Sequence, residues 1–370
     1  MKTLNLVAVA ALLTATVVPA LAQPAALRTE VVAGGLQNPW GLAFLGDGRL
    51  LVTERPGRMR VVEADGRLGA PLAGVPEVEA VGQGGLLDVI TDRAFAQNRT
   101  VHFCYSEPGP GGNSTAMASA RLSDDRTRLE NVRVVFSQKP KVGSRLHFGC
   151  RIVQAADGSL FLSLGDRYTR MQDAQTLDNH HGKVVRVRPD GSAHPDNPFA
   201  SRTGALPEIW SLGHRNIQGA ALGPDGVLWT IEHGPQGGDE LNRTEPGKNY
   251  GWPVITYGEN YGGGRIGDGI TAKAGLEQPV QHWVPSIAPA GLVFLGSDRY
   301  GAAWKGSAFT GSLKFRYLAR LEMNNGRVVR EEKLLTDLGQ RVRDVREGPD
   351  GLLYLLTDAR DGQVLRLQPR

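Results

Sequence analysis

Residues 219–234 read GAALGPDGVLWTIEHG, and the predicted fold rests on the pattern in this stretch. Two short apolar runs flank Pro224-Asp225-Gly226, a turn tripeptide in which proline presets φ and glycine accepts a positive φ. This arrangement predicts a β-hairpin. His214-Arg215-Asn216 comes just before the first strand and His233-Gly234-Pro235 just after the second, so both groups are expected at the same end of the hairpin.

The same pattern of small residue, apolar run, turn, apolar run and acidic residue returns along the whole chain. Six copies begin at Gly41, Gly85, Gly149, Gly219, Gly291 and Arg343. A single hairpin is too small to be stable alone, and each copy leaves room for two more strands, such as those after Met59 and Lys183.

Four antiparallel strands per copy are typical of a propeller blade. The sequence therefore predicts an all-β fold, a six-bladed β-propeller that takes up residues 23–370 as one domain. A β-helix is the competing architecture, but its repeats are much shorter. The longest intervals between hairpins, 167–215, 234–290 and 314–342, are expected to be loops that carry function.

Composition narrows the class of protein. The chain has 48 glycines and 22 prolines in 370 residues, which favours short strands joined by turns. Its formal net charge is +4, but the basic residues are interspersed with acidic ones and form no block. This distribution argues against a nucleic-acid partner.

The first 22 residues have the organisation of a secretory signal peptide. Lys2 precedes an apolar run, and Ala20-Leu21-Ala22 is a small-x-small cleavage pattern. A transmembrane anchor is the alternative, although the run before Pro19 is short for a bilayer and no stop-transfer charges follow it. We expect an exported protein, periplasmic or secreted, with no membrane span in the mature chain.

The two cysteines, Cys104 and Cys150, lie in strand-like segments and would meet an oxidising compartment after export. If adjacent blades place these segments side by side, a disulfide forms; two buried free thiols are the alternative. Metal binding by these thiols is disfavoured because neither has a second cysteine at ligand spacing.

If the blades share one orientation, the residues that precede each first strand gather on one face of the ring, where a pocket is expected. They are Gln83, His147, His214, Arg215, Asn216, Arg341 and Arg343. The ends of the second strands add Asp166 and the HGPQGGDE loop. Each also has a structural explanation: a hydrogen-bonded histidine, an arginine in an ion pair, or a flexible loop with solvated carboxylates.

Several longer motifs carry a family resemblance. They are LQNPWGLAF, GQGGLLDV, LHFGCRIV, LGHRNIQGAA, EHGPQGGDELN, KNYGWP, the SLK of GSLKFRYL and QRVRDVREGPDGLLYLLTD. In this order they resemble the blade motifs of the soluble quinoprotein aldose sugar dehydrogenases, the glucose/sorbosone dehydrogenase family. The similarity runs from about Leu36 to Arg366.

The resemblance implies an oxidoreductase that binds pyrroloquinoline quinone (PQQ) and Ca²⁺ on the propeller axis and oxidises the anomeric hydroxyl of aldoses to a lactone. Lys314, Arg341 and Arg343 match the family's cations for the three PQQ carboxylates, which bidentate arginines suit well. The backbone carbonyls of Gly234 and Pro235 match its Ca²⁺ ligands, and Asp239 would act through water or behind them.

The resemblance also assigns roles in the reaction. His147 matches the general base, Asp166 would orient it, and Arg215 would stabilise the developing charge on the reactive quinone oxygen. Two further residues, Gln83 and Asn216, would hydrogen-bond the edge of the quinone. Gln175 matches a substrate-side position.

Two departures from the better-known glucose enzymes bear on the sugar. Leu146 stands where that branch has an acidic residue that contacts the sugar, and the loop after Tyr257 is short and glycine-rich. The pattern is closer to the monomeric, broad-specificity aldose branch, and the resemblance does not name the electron acceptor.

The rival functions are a calcium-dependent propeller lactonase or other hydrolase, which needs no cationic cradle, and a non-catalytic binding propeller.

Overall fold

Twenty-four β-strands form nearly all the regular structure in residues 27–369, the part of the chain that the computed structural model describes. The predicted signal peptide lies outside these residues. The first strand, β1, spans Leu27–Leu36. Strands β2–β5 span Pro39–Phe44, Leu50–Glu54, Arg58–Val62 and Leu68–Pro71. Strands β6–β9 span Leu86–Thr91, Thr100–Gly109, Gly112–Leu122 and Leu129–Ser137, with a one-turn helix α1 at Phe95–Asn98.

The remaining strands follow in the same groups of four. Strands β10–β13 span Gly149–Gln154, Leu160–Leu164, Lys183–Val187 and Ile209–Leu212. Strands β14–β17 span Ile217–Leu222, Leu228–Glu232, Asp239–Thr244 and Gln281–Trp283. Strands β18–β21 span Pro289–Phe294, Ala308–Ser312, Leu318–Asn324 and Arg327–Leu334. Strands β22–β24 span Val342–Glu347, Leu353–Thr357 and Gly362–Pro369.

The strands form six four-stranded antiparallel sheets, so the predicted six-bladed propeller is confirmed. Blades 1 to 5 each use four consecutive strands, beginning with β2, β6, β10, β14 and β18. Blade 6 joins β22, β23 and β24 to β1, whose residues run from Leu27 opposite Pro369 to Leu36 opposite Gly362. The two ends of the described chain therefore share one sheet, which closes the ring.

The first strand of each blade is the inner strand, because these six strands contact one another in sequence around the ring. Every inner strand has six residues and an irregular register with the second strand near its start. Such bulges turn side chains toward the axis. Glycine permits the close approach: a Cβ at Gly219 would lie 2.7 Å from the backbone of Gly291 in the next inner strand.

The apolar core lies between neighbouring blades. The second strands β3, β11, β15, β19 and β23 are buried along their whole length. Leu51 and Met59 of blade 1, for example, pack with Phe103 and Ala118 of blade 2. Each blade is thus a thin sheet that is stable only when both of its faces are covered.

Four charged side chains, three of them buried and that of Arg346 20% exposed, lie between the inner strands on the axis. Arg151 contacts Asp344 at 2.9 Å and Asp88 at 3.4 Å, and Arg346 contacts the same two carboxylates at 2.9 and 2.6 Å. Two arginines balance two aspartates, as buried charges require. This cluster separates the two ends of the axis, so the two mouths of the ring are distinct.

Cys104 of β7 and Cys150 of β10 form a disulfide, which confirms the predicted bond. It joins blade 2 to blade 3, and Cys150 lies only three residues beyond His147.

All three intervals predicted as loops contain outer strands of a blade. The interval 167–215 contains β12 and β13, and the interval 234–290 contains β16 and β17. The interval 314–342 contains β20 and β21, the two outer strands of blade 5, because its apolar residues supply the rest of that sheet. The interval 234–290 does contain a long segment without strands, between Thr244 and Gln281. In residues 27–369, none of the helices is long and apolar enough to cross a membrane.

Candidate functional site

A cavity of about 550 Å³ opens at the end of the axis where the inner strands begin, and all six blades contribute to its lining. Five of the predicted site residues line it: Gln83, Asn216, Lys314, Arg341 and Arg343. Of the residues predicted before the inner strands, Gln83, Asn216 and Arg341 share this face, whereas Arg343 lies inside β22. His214 is outside the lining and contacts Ser211 and Glu232 instead.

Positive charge dominates the cavity. Arg55 and Arg316 line it together with Lys314, Arg341 and Arg343, whereas Asp358 is the one carboxylate that the described residues contribute to the lining. These five cations face one anion, so the cavity suits a ligand with several negative charges.

Asp358 forms hydrogen bonds with Arg341 and Arg343, two of the cations predicted from the sequence to bind the cofactor. Its Oδ2 accepts hydrogen bonds from Arg341 at 2.9 Å and from Arg343 at 3.1 Å. Burial opposes ionisation of Asp358, but the charges of Arg343 and Arg341 outweigh it and keep the pKa of this carboxyl well below its usual range. The side chain of Arg343 is 11% exposed, and its buried Nε has no hydrogen-bond partner among residues 27–369.

His147 and Asp166 form a buried pair beside the cavity. Nδ1 of His147 lies 2.6 Å from Oδ1 of Asp166, and the backbone N–H of His147 donates to Oε1 of Gln83 at 2.8 Å. Burial lowers the pKa of His147, the charge of Arg215 adds to this effect, and Asp166 opposes it. The imidazole is therefore neutral at neutral pH. Because a carboxylate faces Nδ1, we assign the ring proton to Nδ1 and the lone pair to Nε2.

Arg215 crosses from this pair to the turn after β15. Its Nη1 donates to the carbonyl oxygens of Gly234 at 2.6 Å and His233 at 3.0 Å. Its backbone N–H donates to Oε2 of Glu232 at 2.6 Å. Within the described chain the buried Nε of Arg215 has no hydrogen-bond partner, so this N–H is free to donate to a bound group.

The turn at Gly234 and Pro235 is held from behind by Asp239. The two oxygens of this buried carboxylate accept from the backbone N–H groups of Gly234 at 2.9 Å and Ala288 at 2.8 Å. Burial raises the pKa of Asp239, and these hydrogen bonds oppose the rise. Asp239 thus fixes the turn. The Gly234 carbonyl oxygen accepts from Arg215 and that of Pro235 from the Ser286 hydroxyl at 3.5 Å, and neither Gly234 nor Pro235 is part of the cavity lining.

The structure does not bring Gln175 into the cavity. Its Nε2 donates to the Trp252 carbonyl oxygen at 2.7 Å and to Oδ1 of Asn249 at 3.1 Å, and its Oε1 accepts from Asn249 at 2.8 Å. Both ends of the amide are occupied by protein groups. A contact between Gln175 and a sugar stays a prediction, and this geometry gives it no support.

The sequence prediction missed several residues of the site. Arg55 and Asp358 follow the second strands of blades 1 and 6, as Asp166 follows the second strand of blade 3. The pattern that identified Asp166, a polar residue at the end of a second strand, therefore also identifies these two. Trp252, whose Nε1 donates to Oδ2 of Asp166 at 2.8 Å, comes from a segment with no periodic pattern. His233, the first residue of the HGPQGGDE loop predicted at this site, also lines the cavity, and burial lowers its pKa to about 3, so it adds no charge.

The chain is similar to a known protein family and to several known proteins. Residues 36–366 match the family model described as Glucose / Sorbosone dehydrogenase. The aldose sugar dehydrogenase YliI of Escherichia coli K12 is 46% identical over 353 residues, which cover 94% of this chain and 95% of that protein.

Two solved structures are also similar. The apo form of the soluble aldose sugar dehydrogenase from Escherichia coli is 45% identical with a TM-score of 0.90, and the match covers 93% of this chain and all of that one. The PQQ-bound aldose sugar dehydrogenase from Streptomyces coelicolor is 29% identical with a TM-score of 0.75, and the match covers 94% and 99% of the two chains.

Proposed function

The chain belongs to the glucose/sorbosone dehydrogenase family, and on this premise we propose that it oxidises the anomeric hydroxyl of aldose sugars to a lactone with PQQ and Ca²⁺. The observation that carries the proposal is a neutral, buried histidine beside a cavity lined by five cations. A hydrolase would use the histidine but has no need for so much positive charge.

The cavity fits PQQ in charge and in its unsatisfied donors. Arg341, Arg343 and Lys314 would hold the three carboxylates, and the unpartnered Nε of Arg343 is a buried donor that such a group would satisfy. Gln83 and Asn216 would bond the edge of the quinone through their amides. When bound, the cofactor would supply an electrophilic carbon as the acceptor of a hydride, which carries one proton and the two electrons of the oxidation.

The turn at Gly234 and Pro235 fits Ca²⁺ through the chemistry of its donors. Carbonyl oxygens are hard ligands, and each has a second lone pair beyond the one used by Arg215 at Gly234. Asp239 would act through a water or from behind the carbonyls, where it accepts hydrogen bonds from the backbone N–H groups of Gly234 and Ala288. Its role would be to hold the two carbonyls in place.

His147 would accept the proton of the sugar hydroxyl at Nε2. Its neutral state supplies the lone pair, and Asp166 would stabilise the imidazolium that forms once the proton is taken. The proton and the hydride leave the same carbon–oxygen unit, so the sugar loses two electrons and becomes a lactone. The unpartnered Nε of Arg215 would donate to the oxygen on which negative charge develops.

The proposal also covers the range of sugars, the location and oligomeric state of the protein, and its electron acceptor. Leu146, which precedes the base, offers no carboxylate to a sugar hydroxyl, and we propose a broad aldose specificity on this ground. We also propose that the protein is exported, is monomeric and passes its electrons to an acceptor outside this chain.

The test is a reconstitution assay on cofactor-free protein. After extensive chelation, the apoprotein is assayed for dye reduction with a panel of aldoses, with PQQ alone, Ca²⁺ alone, or both. We expect activity with both cofactors together and none with either one alone.

A parallel assay with aldonolactones measures hydrolysis. Full sugar oxidation in the chelated, cofactor-free protein would contradict the proposal. So would lactone hydrolysis that depends on Ca²⁺ and not on PQQ, because that result identifies a hydrolase.

A further inference from the structure

We propose that Trp252 is a positioning residue that holds the His147–Asp166 pair and Arg215 in one arrangement; this inference rests on the proposed function. Trp252 belongs to the strand-free segment between β16 and β17, far in sequence from all three residues. Its ring is buried with 8% of its surface exposed.

The indole completes the hydrogen bonds of Asp166. Oδ1 of this carboxylate accepts from Nδ1 of His147 at 2.6 Å and from the backbone N–H of Tyr168 at 2.7 Å. Oδ2 accepts from Nε1 of Trp252 at 2.8 Å. With donors on both oxygens, the carboxylate cannot rotate without losing a hydrogen bond, so the direction of the imidazole is fixed as well.

The same ring also contacts the other side of the site. The Arg215 guanidinium lies over the indole, 5.3 Å from the ring centre, while its Nη1 donates to Gly234 and His233. A cation over an indole face is attracted by the electrons of the ring. One side chain thus links the proposed base to the residue proposed for the developing negative charge.

Trp252 is itself anchored through its backbone. Its N–H donates to the carbonyl oxygen of Gly213 at 2.9 Å, and its carbonyl oxygen accepts from Gln175. Asn249 exchanges amide hydrogen bonds with Gln175 in both directions. We therefore assign Gln175 to the support of Trp252 and not to contact with the sugar.

The hydrogen bond from Trp252 has a consequence for proton affinity. A donor on Asp166 stabilises the ionised carboxylate and weakens its pull on the imidazole N–H. The other groups facing His147 are the cations Arg215 and Arg167, the neutral His233 and the phenol ring of Tyr168. Removing the indole N–H leaves those groups in place, so His147 should bind its proton more tightly.

The experiment uses Trp252→Phe, which removes the donor and keeps an aromatic ring under Arg215. We expect the pKa of His147, measured by NMR titration of the full-length apoprotein, to rise by about half a unit or more. In protein loaded with PQQ and Ca²⁺, the rate of cofactor reduction at saturating aldose should fall roughly tenfold, because Asp166 and the imidazole are less firmly oriented. PQQ affinity should stay within about threefold of wild type.

The matched control is Trp210→Phe. Trp210 donates through Nε1 to the carbonyl oxygen of Thr244 at 3.3 Å and touches none of the three residues. This variant should leave the His147 titration and the reduction rate unchanged. A wild-type His147 pKa and reduction rate in Trp252→Phe would overturn the proposal.

A second variant keeps the proposal testable if Trp252→Phe does not fold. Gln175→Ala removes the support and leaves the indole, so we expect a smaller shift of the His147 pKa in the same direction and a slower reduction with an unchanged KM for the sugar. A raised KM with an unchanged His147 titration would instead make Gln175 a sugar contact. The NMR titration needs neither cofactor nor sugar, so it tests this inference separately from the proposed function. If wild type is inactive with PQQ, Ca²⁺ and an aldose but Trp252→Phe still raises the pKa of His147, only the proposed function is refuted.

Discussion

Burial of His147 is the residue-level property on which the proposed chemistry depends. The imidazole is 5% exposed, touches Asp166 through Nδ1, and has a pKa lowered mainly by burial. A base must be neutral before it can accept a proton, and burial keeps it so. Two predictions follow from this state of the ring.

Replacing His147 by alanine should affect the chemical step and spare assembly. We expect the reduction of bound PQQ by a saturating aldose to slow by roughly a hundredfold or more, the usual effect of losing a general base. Stopped-flow absorbance measures this step, and cofactor titration checks binding. His194→Ala is the control, since His194 lies 3.4 Å from Asp157 and outside the site. Weak cofactor binding with a normal reduction rate per filled site would make His147 structural.

The pH dependence of the same step should report the lowered pKa. The rate requires neutral His147, so it is constant at neutral pH and falls as pH drops through the pKa of the residue. Since that pKa lies below the ordinary value of 6.5, the acid limb should lie below pH 6.5. Asp166→Asn should move the limb further down, because the carboxylate raises the pKa of His147. A limb above pH 6.5 in wild type would contradict this assignment.

Arg343 and Arg341 should matter for the cofactor more than for the sugar. Arginine bonds to charged groups contribute about 1.5–3 kcal/mol, so Arg343→Ala or Arg341→Ala should weaken PQQ binding roughly tenfold or more. Arg343→Ala should have the larger effect because Arg343 is the more buried. Fluorescence titration of apoprotein measures this affinity, with Arg366→Ala as control, since Arg366 pairs with Glu30 on the outer strand. Unchanged affinity in both variants argues against the proposed carboxylate cradle.

At the level of the strands, most of the site comes from two positions in a blade: just before the inner strand and just after the second strand. Residues before the inner strands supply Gln83, His147 and Asn216, and residues after the second strands supply Asp166 and Asp358. Turn tripeptides and alternating apolar runs predict these hairpins from local sequence alone. Arg55, which follows β3 of blade 1 and lines the cavity, occupies the same position in its blade as Asp166 in blade 3.

The disulfide is the covalent link between blades 2 and 3. Cys104 and Cys150 close a segment with a sequence separation of 46, and in the chain-entropy model a loop of this length contributes up to about 4 kcal/mol. We expect the double variant Cys104→Ser and Cys150→Ser to unfold at lower denaturant concentration, with a loss of about 2–4 kcal/mol. Equal unfolding midpoints for wild type with and without reductant would show that the bond adds nothing.

At the scale of the whole molecule, the ring brings distant residues together that no local pattern connects. Trp252 reaches Asp166 across 86 positions of sequence, and Asp88 meets Arg346 across 258. The repeats predicted the number of blades, but not that the strand-free segment after β16 turns back onto blade 3 or that four charges fill the axis. Those contacts depend on closure of the ring, when β1 pairs with β24.

The central claim is that bound PQQ takes its electrons directly from an aldose at this site, and anaerobic single-turnover reduction tests it most directly. Apoprotein is loaded with one equivalent of PQQ and with Ca²⁺, then mixed with excess glucose without any external acceptor. We expect complete conversion of the bound quinone to its reduced spectrum, with one lactone formed per cofactor. A quinone that binds in a one-to-one ratio yet keeps its oxidised spectrum across a panel of aldoses would contradict it.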